Sequence, residues 1–157
     1  MESYQQGLAI AKRILQADPT NVQAQRDLSV SYNKIGDIQA ATGETQGALE
    51  SYQQGLAIRQ RISQADPTNV QAQRDLSVSY DKIGDIQAAT GETQGALESY
   101  QQSLDIFQRI SQADPTNVQA QRDLSVSYDK IGNTLAEMKQ VEDAMTYYRQ
   151  ALDIDQR

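Results

Sequence analysis

The sequence predicts an all-α solenoid built from antiparallel helix pairs. Residues Ser3 to Glu50 recur as Ser51 to Glu98, 48 residues later, with four differences. Asp-Pro and Gly-Glu steps return at the same spacing and divide each copy into two stretches with apolar residues at helical spacing. A fixed period of about 20 to 50 residues is typical of folds in which one supersecondary unit stacks on copies of itself.

The copies differ at a few positions only. In the first two, the differences are Ala11/Arg59, Lys12/Gln60, Leu15/Ser63 and Asn33/Asp81. The third copy follows them as far as Gly132 and then diverges. Its Phe107, in the place of Ala11 and Arg59, is interpreted as packing locally, with an apolar contact to another chain as the alternative. The near identity reflects duplication, so it does not mark any residue as constrained.

The first helix is predicted over residues 2–17. Tyr4, Leu8, Ala11 and Leu15 recur there at helical spacing, supplemented by Ile10 and Ile14. The Asp-Pro step at 18–19 ends this helix because proline donates no backbone hydrogen bond and biases the residue before it away from helical angles. Asn21 is then well suited to cap the next helix.

The two helices that follow form the repeating pair. Gly43 separates them, since glycine takes left-handed backbone angles at little cost. A link this short forces the helices to lie antiparallel. Lys139-Gln140 replaces Gly-Glu in the last copy, where a different turn is expected. The predicted helices after the first cover residues 22–42, 44–65, 70–90, 92–113, 118–138 and 141–157.

The domain organisation that follows is one array over residues 1–157. It consists of a lone second helix at 2–17, repeats at 18–65 and 66–113, and a truncated repeat at 114–157. Because the chain begins and ends within second helices, it has the pattern expected of a segment cut from a longer array. The exposed faces of the terminal helices would allow copies to stack head to tail, which makes self-association the alternative function.

Composition excludes several classes of function. The chain has 14 Lys and Arg against 21 Asp and Glu, a net charge of -7, which argues against nucleic-acid and anionic-membrane partners. Without Cys or His, it has no disulfide framework and lacks the usual proton-transfer and nucleophilic groups. The acidic start and the absence of a long apolar run predict a soluble, cytoplasmic protein.

No catalytic or metal site is predicted. Asp81 and Asp85, four residues apart on one helix, are the one carboxylate constellation. A hard cation needs more oxygen ligands, commonly from a dedicated loop, and the sequence offers none there. The Gly-Glu-Thr step at 91–93 is a helix turn and no phosphate loop. The sequence therefore predicts a non-enzymatic protein without cofactor or metal.

The repeat resembles the tetratricopeptide repeat. Tyr32-x2-Ile35-Gly36 followed by Ala48-x3-Tyr52 is similar to the family pattern W-x2-L-G-x2-Y, A-x3-F, P. The family repeat is about 34 residues, and the excess here amounts to about one heptad in each helix, which keeps the buried faces in register. The phrase at 26–37, RDLSVSYNKIGD, is similar to bacterial repeat proteins of this class that serve as sensor or adaptor regions.

The resemblance implies a right-handed superhelix whose concave surface, lined by the first helix of each pair, binds a peptide or protein. Lys and Asn clamp a terminal carboxylate in some family members, and that clamp is absent here because its places hold Asn33 and Asp37. Val30, Val78 and Val126 lie on the same face. The predicted partner-binding residues are Gln23, Arg26, Asn33, Asp37, Gln71, Arg74, Asp81, Asp85, Gln119, Arg122, Asp129 and Asn133.

The charges on this face suggest two interpretations. The acids Asp37, Asp81, Asp85 and Asp129, flanked by a row of arginines, fit a partner that offers both cations and carboxylates. Alternatively the face is solvated and paired internally, for example from Lys34 to Asp37, at a few tenths of a kcal/mol per pair.

Overall fold

The computed structural model describes residues 2–156, which form seven α-helices and no strand, so the all-α prediction is confirmed. None of these helices combines the length and apolarity that crossing a bilayer requires. Every helix lies inside its predicted range, and the predicted last residue, Arg157, lies outside the described part. The helices are α1 Glu2–Ala17, α2 Val22–Ala41, α3 Thr45–Ala65, α4 Val70–Ala89, α5 Thr93–Ala113, α6 Val118–Glu137 and α7 Val141–Asp155. We call α2, α4 and α6 the first-type helices.

Asparagine caps begin the first-type helices, as predicted. The side-chain oxygen of Asn21 accepts a hydrogen bond from the backbone N–H of Ala24 at 2.9 Å. Asn69 and Asn117 accept equivalent bonds at 3.0 Å. Each cap satisfies a backbone donor that has no partner within the helix, which typically contributes about 1 kcal/mol.

The turns that join the paired helices share one geometry. Gly43 and Gly91 have φ of 81°, and the N–H of the next residue bonds to a carbonyl five residues back, at 2.8 Å in both. Lys139 has φ of 62°, and Gln140 makes the same bond at 2.9 Å. The expectation of a different turn was therefore wrong: Lys139 adopts the left-handed conformation in spite of its Cβ.

The chain divides into two compact units, Met1–Ile86 and Gln87–Arg157. In the first unit, Tyr52 of α3 meets Asp37 of α2, and Arg59 further along α3 meets Ser29 earlier in α2. Contacts that run in opposite chain directions show that the two helices are antiparallel. An apolar cluster of Ala48, Tyr52, Ile83 and Ile86 forms part of the core of this unit.

The second unit has a more aliphatic core around Phe107. That side chain is 3% exposed, and Leu104 and Ile131 are each 1% exposed. Gln108 of α5 bonds to the hydroxyl of Tyr128 on α6. The interpretation that Phe107 packs locally is confirmed by its burial.

Glycine allows the paired helices to approach closely. A Cβ built on Gly36 would lie 2.6 Å from the ring of Tyr52, and one on Gly132 would lie 2.7 Å from the ring of Tyr148. Cβ atoms do not occur that close to another carbon, so these positions admit no side chain without displacement of a ring. Both glycines therefore serve the close packing of the paired helices.

Candidate functional site

The predicted partner-binding glutamines lie in the first turns of the first-type helices. Gln23, Gln71 and Gln119 are exposed. Each donates a hydrogen bond of 2.8 Å from its side-chain nitrogen to an aspartate four residues further along the helix. This repeated pair ties each glutamine side chain to its own helix.

Arg26 connects α2 to α4. Its Nε donates to Asp75 Oδ2 at 3.2 Å, and its side chain is 45% exposed. Ion pairs this accessible contribute about 0 to 1 kcal/mol. The pair therefore positions the guanidinium more than it stabilises the fold.

Two predicted residues on α2 contact other parts of the protein and are not available to a partner. Asn33 is 5% exposed, and its Oδ1 lies so close to Gly55 that a Cβ there would clash with it, so its side chain is not on an accessible face. Asp37 accepts hydrogen bonds from Lys82 Nζ at 2.6 Å and from the Tyr52 hydroxyl at 2.9 Å. The charge of the Asp37 carboxylate is therefore compensated by Lys82 within the protein.

These contacts shift two pKa values in opposite directions. Burial by itself would raise the pKa of Asp37, but the hydrogen bonds from Lys82 and Tyr52 and the charges of Lys82 and Lys34 hold it below its ordinary value. The pKa of Tyr52 is raised by burial and by its hydrogen bond to the Asp37 carboxylate. The tyrosine therefore stays a neutral donor to the aspartate.

The predicted residues of α4 and α6 differ in exposure. Arg74 and Asp81 are half-buried, whereas Asp85, Arg122, Asp129 and Asn133 are exposed. Asn133 accepts a 2.8 Å hydrogen bond from the hydroxyl of Tyr148. Burial and the nearby charge of Asp155 raise the pKa of Asp129.

Apolar side chains lie beside these charges at the same place in every first-type helix. Val30 is 41% exposed, Val78 37% and Val126 48%. Exposed valines at matched positions next to arginines and aspartates have the mixed character of a recognition surface.

A cleft of about 240 Å³ opens in the first unit, between the starts of α2 and α4 and the end of α3. It brings together three of the predicted residues, Gln23, Arg26 and Gln71. The remaining lining residues are Val22, Arg59, Ile62, Asn69, Ala72 and Asp75.

Arg59 is the residue in this cleft that sequence reasoning missed. It is 8% exposed, and burial lowers the pKa of its guanidinium. The available signal was a charged side chain at a repeat position where the other copies hold Ala11 and Phe107. A charge at an apolar position indicates either an internal polar network or a binding site.

The buried serines beside Arg59 were also missed. Ser29 and Ser79 are 0% exposed, and their hydroxyls accept from Arg59 Nε at 3.2 Å and from Nη1 at 2.9 Å. Their sequence signal was weak, because serine in a helix more often faces water.

Comparison with known proteins gives one partial family match and several solved structures of similar fold. Residues 126–157 match a model of the family described as tetratricopeptide repeat. The chain is also similar to the crystal structure of MamA, with 19% identity, a TM-score of 0.56 and coverage of 98% of this chain and 89% of that one. A comparison with curated proteins found no match.

A second solved structure, BtubC (BKLC) from P. vanneervenii, is similar over 99% of this chain, with 18% identity and a TM-score of 0.70. The match spans 56% of BtubC. At these identities the likeness concerns the fold, and it confirms the predicted helical array of antiparallel pairs.

Proposed function

We propose that this chain, a tetratricopeptide repeat protein, is an interaction scaffold that binds a protein or peptide through the exposed face of its first-type helices. The observation that carries this proposal is the exposed valine at one repeat position of the first unit, Val30 at 41% and Val78 at 37%; Val126, at the matching position of the second unit, is 48% exposed. An arginine precedes each valine by four residues, about one helical turn: Arg26, Arg74 and Arg122. An apolar centre with a polar rim is the usual composition of a protein-binding surface.

The predicted binding residues contribute unequally to this surface. Gln23, Arg26, Gln71, Asp85, Arg122 and Asp129 are accessible, whereas Asn33 is buried and Asp37 is paired with Lys82. The arginines and the exposed acids therefore supply the polar contacts, and the valines supply the apolar ones.

The test is a selection of peptides from a displayed library on the full chain, followed by affinity measurement through fluorescence anisotropy. A Val30→Glu, Val78→Glu double variant is expected to weaken the selected peptides by about tenfold or more, because it places carboxylates in the apolar centre. The matched control is a Gln53→Glu, Gln54→Glu double variant, at exposed positions of α3, which adds two carboxylates away from this face. Equal affinity for the double variant would contradict the proposed surface.

A second candidate function is self-association through α1. Ile10 is 60% exposed, whereas Ile106 at the matching repeat position is 3% exposed, and Ile14 and Tyr4 are 41% and 39% exposed. These side chains form an accessible apolar face that a second copy could cover. Sedimentation velocity tests this: an Ile10→Asp, Ile14→Asp variant is expected to dissociate any oligomer, and a monomer at about 10⁻³ M would remove this candidate.

A further inference from the structure

Arg59 carries a buried charge whose hydrogen-bond partners are all neutral. Its Nε donates to Ser29 Oγ at 3.2 Å, and its Nη1 donates to Ser79 Oγ at 2.9 Å and to the backbone carbonyl of Asp75 at 2.8 Å. Within residues 2–156, no carboxylate lies within 4.0 Å of this guanidinium. Buried charges are usually compensated by an opposite charge, so the arrangement is incomplete without an anion.

The nearest carboxylate is committed to other donors. Asp75 Oδ2 accepts from Arg26 at 3.2 Å, and Asp75 Oδ1 accepts from Gln71 Nε2 at 2.8 Å. Asp75 is therefore the one carboxylate that lines the cleft beside two guanidiniums, and it is paired with only one of them. The charged residues that line the cleft, Arg26, Arg59 and Asp75, leave an excess of one positive charge.

The backbone adds to this positive potential. α2 begins at Val22 and α4 at Val70, and first-turn residues of both helices, Gln23 and Gln71, line the cleft. A helix start carries about half a positive elementary charge. Two helix starts and two guanidiniums therefore meet the negative end of one helix, α3, whose last-turn residue Ile62 also lines the cleft, so the balance of the helix ends is still positive.

The cleft also has apolar walls. Val22, Ile62 and Ala72 line it beside the arginines. Its volume of about 240 Å³ is below the roughly 300 to 1,000 Å³ of pockets that hold drug-sized ligands, so it suits one or two side chains. A ligand that fits would bear an anionic group on a short apolar stem.

We propose that this cleft binds the carboxylate of an acidic side chain of a protein partner, held between Arg26 and Arg59. A carboxylate carries one negative charge, which matches the excess, and its two oxygens suit the planar donor array of a guanidinium. A phosphate, with about 1.5 to 2 charges, would leave surplus negative charge beside Asp75. The assignment rests on the proposed scaffold function, which makes the carboxylate part of a protein.

The buried guanidinium of the site, Arg59, occurs in the second copy of the repeat only. The matching residues in the other copies are Ala11 and Phe107, which offer no guanidinium. An acidic side chain of a partner would therefore bind beside Arg59 and at neither of the matching positions, which fixes where the partner lies along the repeats. Specificity in a nearly periodic protein requires such a unique position.

The test is a titration of the ¹⁵N-labelled full chain, followed through the guanidinium Nε–H signals and the backbone amides. The probes are N-acetyl-Leu-Glu-amide, its neutral analogue N-acetyl-Leu-Gln-amide and inorganic phosphate. The glutamate peptide is expected to shift the Arg59 Nε–H signal and the amides of Gln71 and Ala72. The glutamine analogue should bind at least about tenfold more weakly, because it lacks the charge.

Three single substitutions locate the binding. Arg59→Met and Arg26→Met should each weaken the glutamate peptide by about tenfold. Arg61→Met is the matched control, because Arg61 is an exposed arginine on the same helix and its loss changes the net charge equally. Arg26→Met alters an accessible side chain, so it remains informative if Arg59→Met disturbs folding.

Each result bears on the proposal separately. Equal affinity for the glutamate and glutamine peptides, equal weakening by Arg61→Met, or tighter binding of phosphate at the same signals would overturn it. If library-selected peptides bind the valine face but are insensitive to Arg59→Met, this site is wrong and the scaffold function stands. If the glutamate dipeptide binds here while no selected peptide contacts the first-type helices, the scaffold surface is wrong.

Discussion

Arg59 and Phe107 occupy the same place in successive copies of the repeat, yet they form opposite interiors. In the first unit the arginine meets buried serine hydroxyls and lines a cleft. In the second unit the phenylalanine is 3% exposed beside Leu104 and Ile106, which are 1% and 3% exposed. The same helical framework therefore accommodates an open polar pocket or a closed apolar core, although α3 and α5 differ at only three positions, Gly55/Ser103, Ala57/Asp105 and Arg59/Phe107.

The largest expected loss of stability follows from substitution of Phe107 in the second unit. Phe107→Ala should lower the free energy of unfolding by about 3 to 5 kcal/mol, because it leaves a cavity that the helices cannot close. Arg59→Ala should cost less, about 1 to 3 kcal/mol, since losing three hydrogen bonds is offset by removing a desolvated charge. Urea unfolding followed by circular dichroism measures both. If Arg59→Ala lowered the free energy of unfolding more than Phe107→Ala, the polar interior would be the more stabilising of the two.

Close helix approach gives a second comparison between the units. Gly36→Ala should destabilise by about 1 to 3 kcal/mol, because the new Cβ meets the Tyr52 ring. Gly132→Ala should cost less, since Tyr148 is half-buried whereas Tyr52 is 4% exposed and its ring can move outward. Thermal unfolding of both variants decides this. Equal losses would show that the ring at Tyr148 is held as firmly as the ring at Tyr52.

The turns provide a smaller effect. Lys139→Gly should stabilise the protein by about 1 kcal/mol, because φ of 62° is strained for a residue with a Cβ. Gly91→Ala, at φ of 81°, should destabilise by a similar amount and serves as the reciprocal control. Both are read from denaturant midpoints. A destabilised Lys139→Gly variant would mean that the lysine side chain outweighs the backbone strain.

The smallest effects are two pH dependences of opposite sign. The pKa of Asp37 is lowered in the folded state, so its stabilisation is present above the ordinary value near 3.8 and is lost as the pH falls through the folded pKa. Asp37→Asn should therefore reduce the loss of stability between about pH 5 and pH 3, by a few tenths of a kcal/mol.

The pKa of Asp129 is raised in the folded state, so its ionised form is unfavourable above that pKa and the penalty fades on acidification. Asp129→Asn should stabilise the protein by a few tenths of a kcal/mol at pH 7 and by less at pH 3. Chemical unfolding of each variant and of the unsubstituted chain, at pH 7, 5 and 3, measures these differences in the free energy of unfolding. If both substitutions changed the free energy of unfolding at pH 7 in the same direction, the assigned environments of Asp37 and Asp129 would be wrong.

Much of the fold could be predicted from short-range signals. Asn21 caps α2 and Gly43 takes a left-handed angle because cap and turn chemistry depends on a few neighbouring residues. Lys139 escaped that reasoning, since the packing of α6 and α7 imposes the same turn on a residue that does not favour it. Asn33 was assigned to an accessible face by helical spacing, and its 5% exposure reflects a contact with α3 that spacing alone does not specify.

The amino-acid sequence by itself determined the helical array, its helix limits and the small residues at helix contacts, because each depends on periodicity or on backbone preferences within one turn. Only the tertiary structure decided where the charges lie. Arg59 and Asp75 are distant from Arg26 along the chain, and they form one cleft because three helices bring them together. Burial and charge neighbours are properties of that packing, so the candidate site emerges only when the helices are assembled.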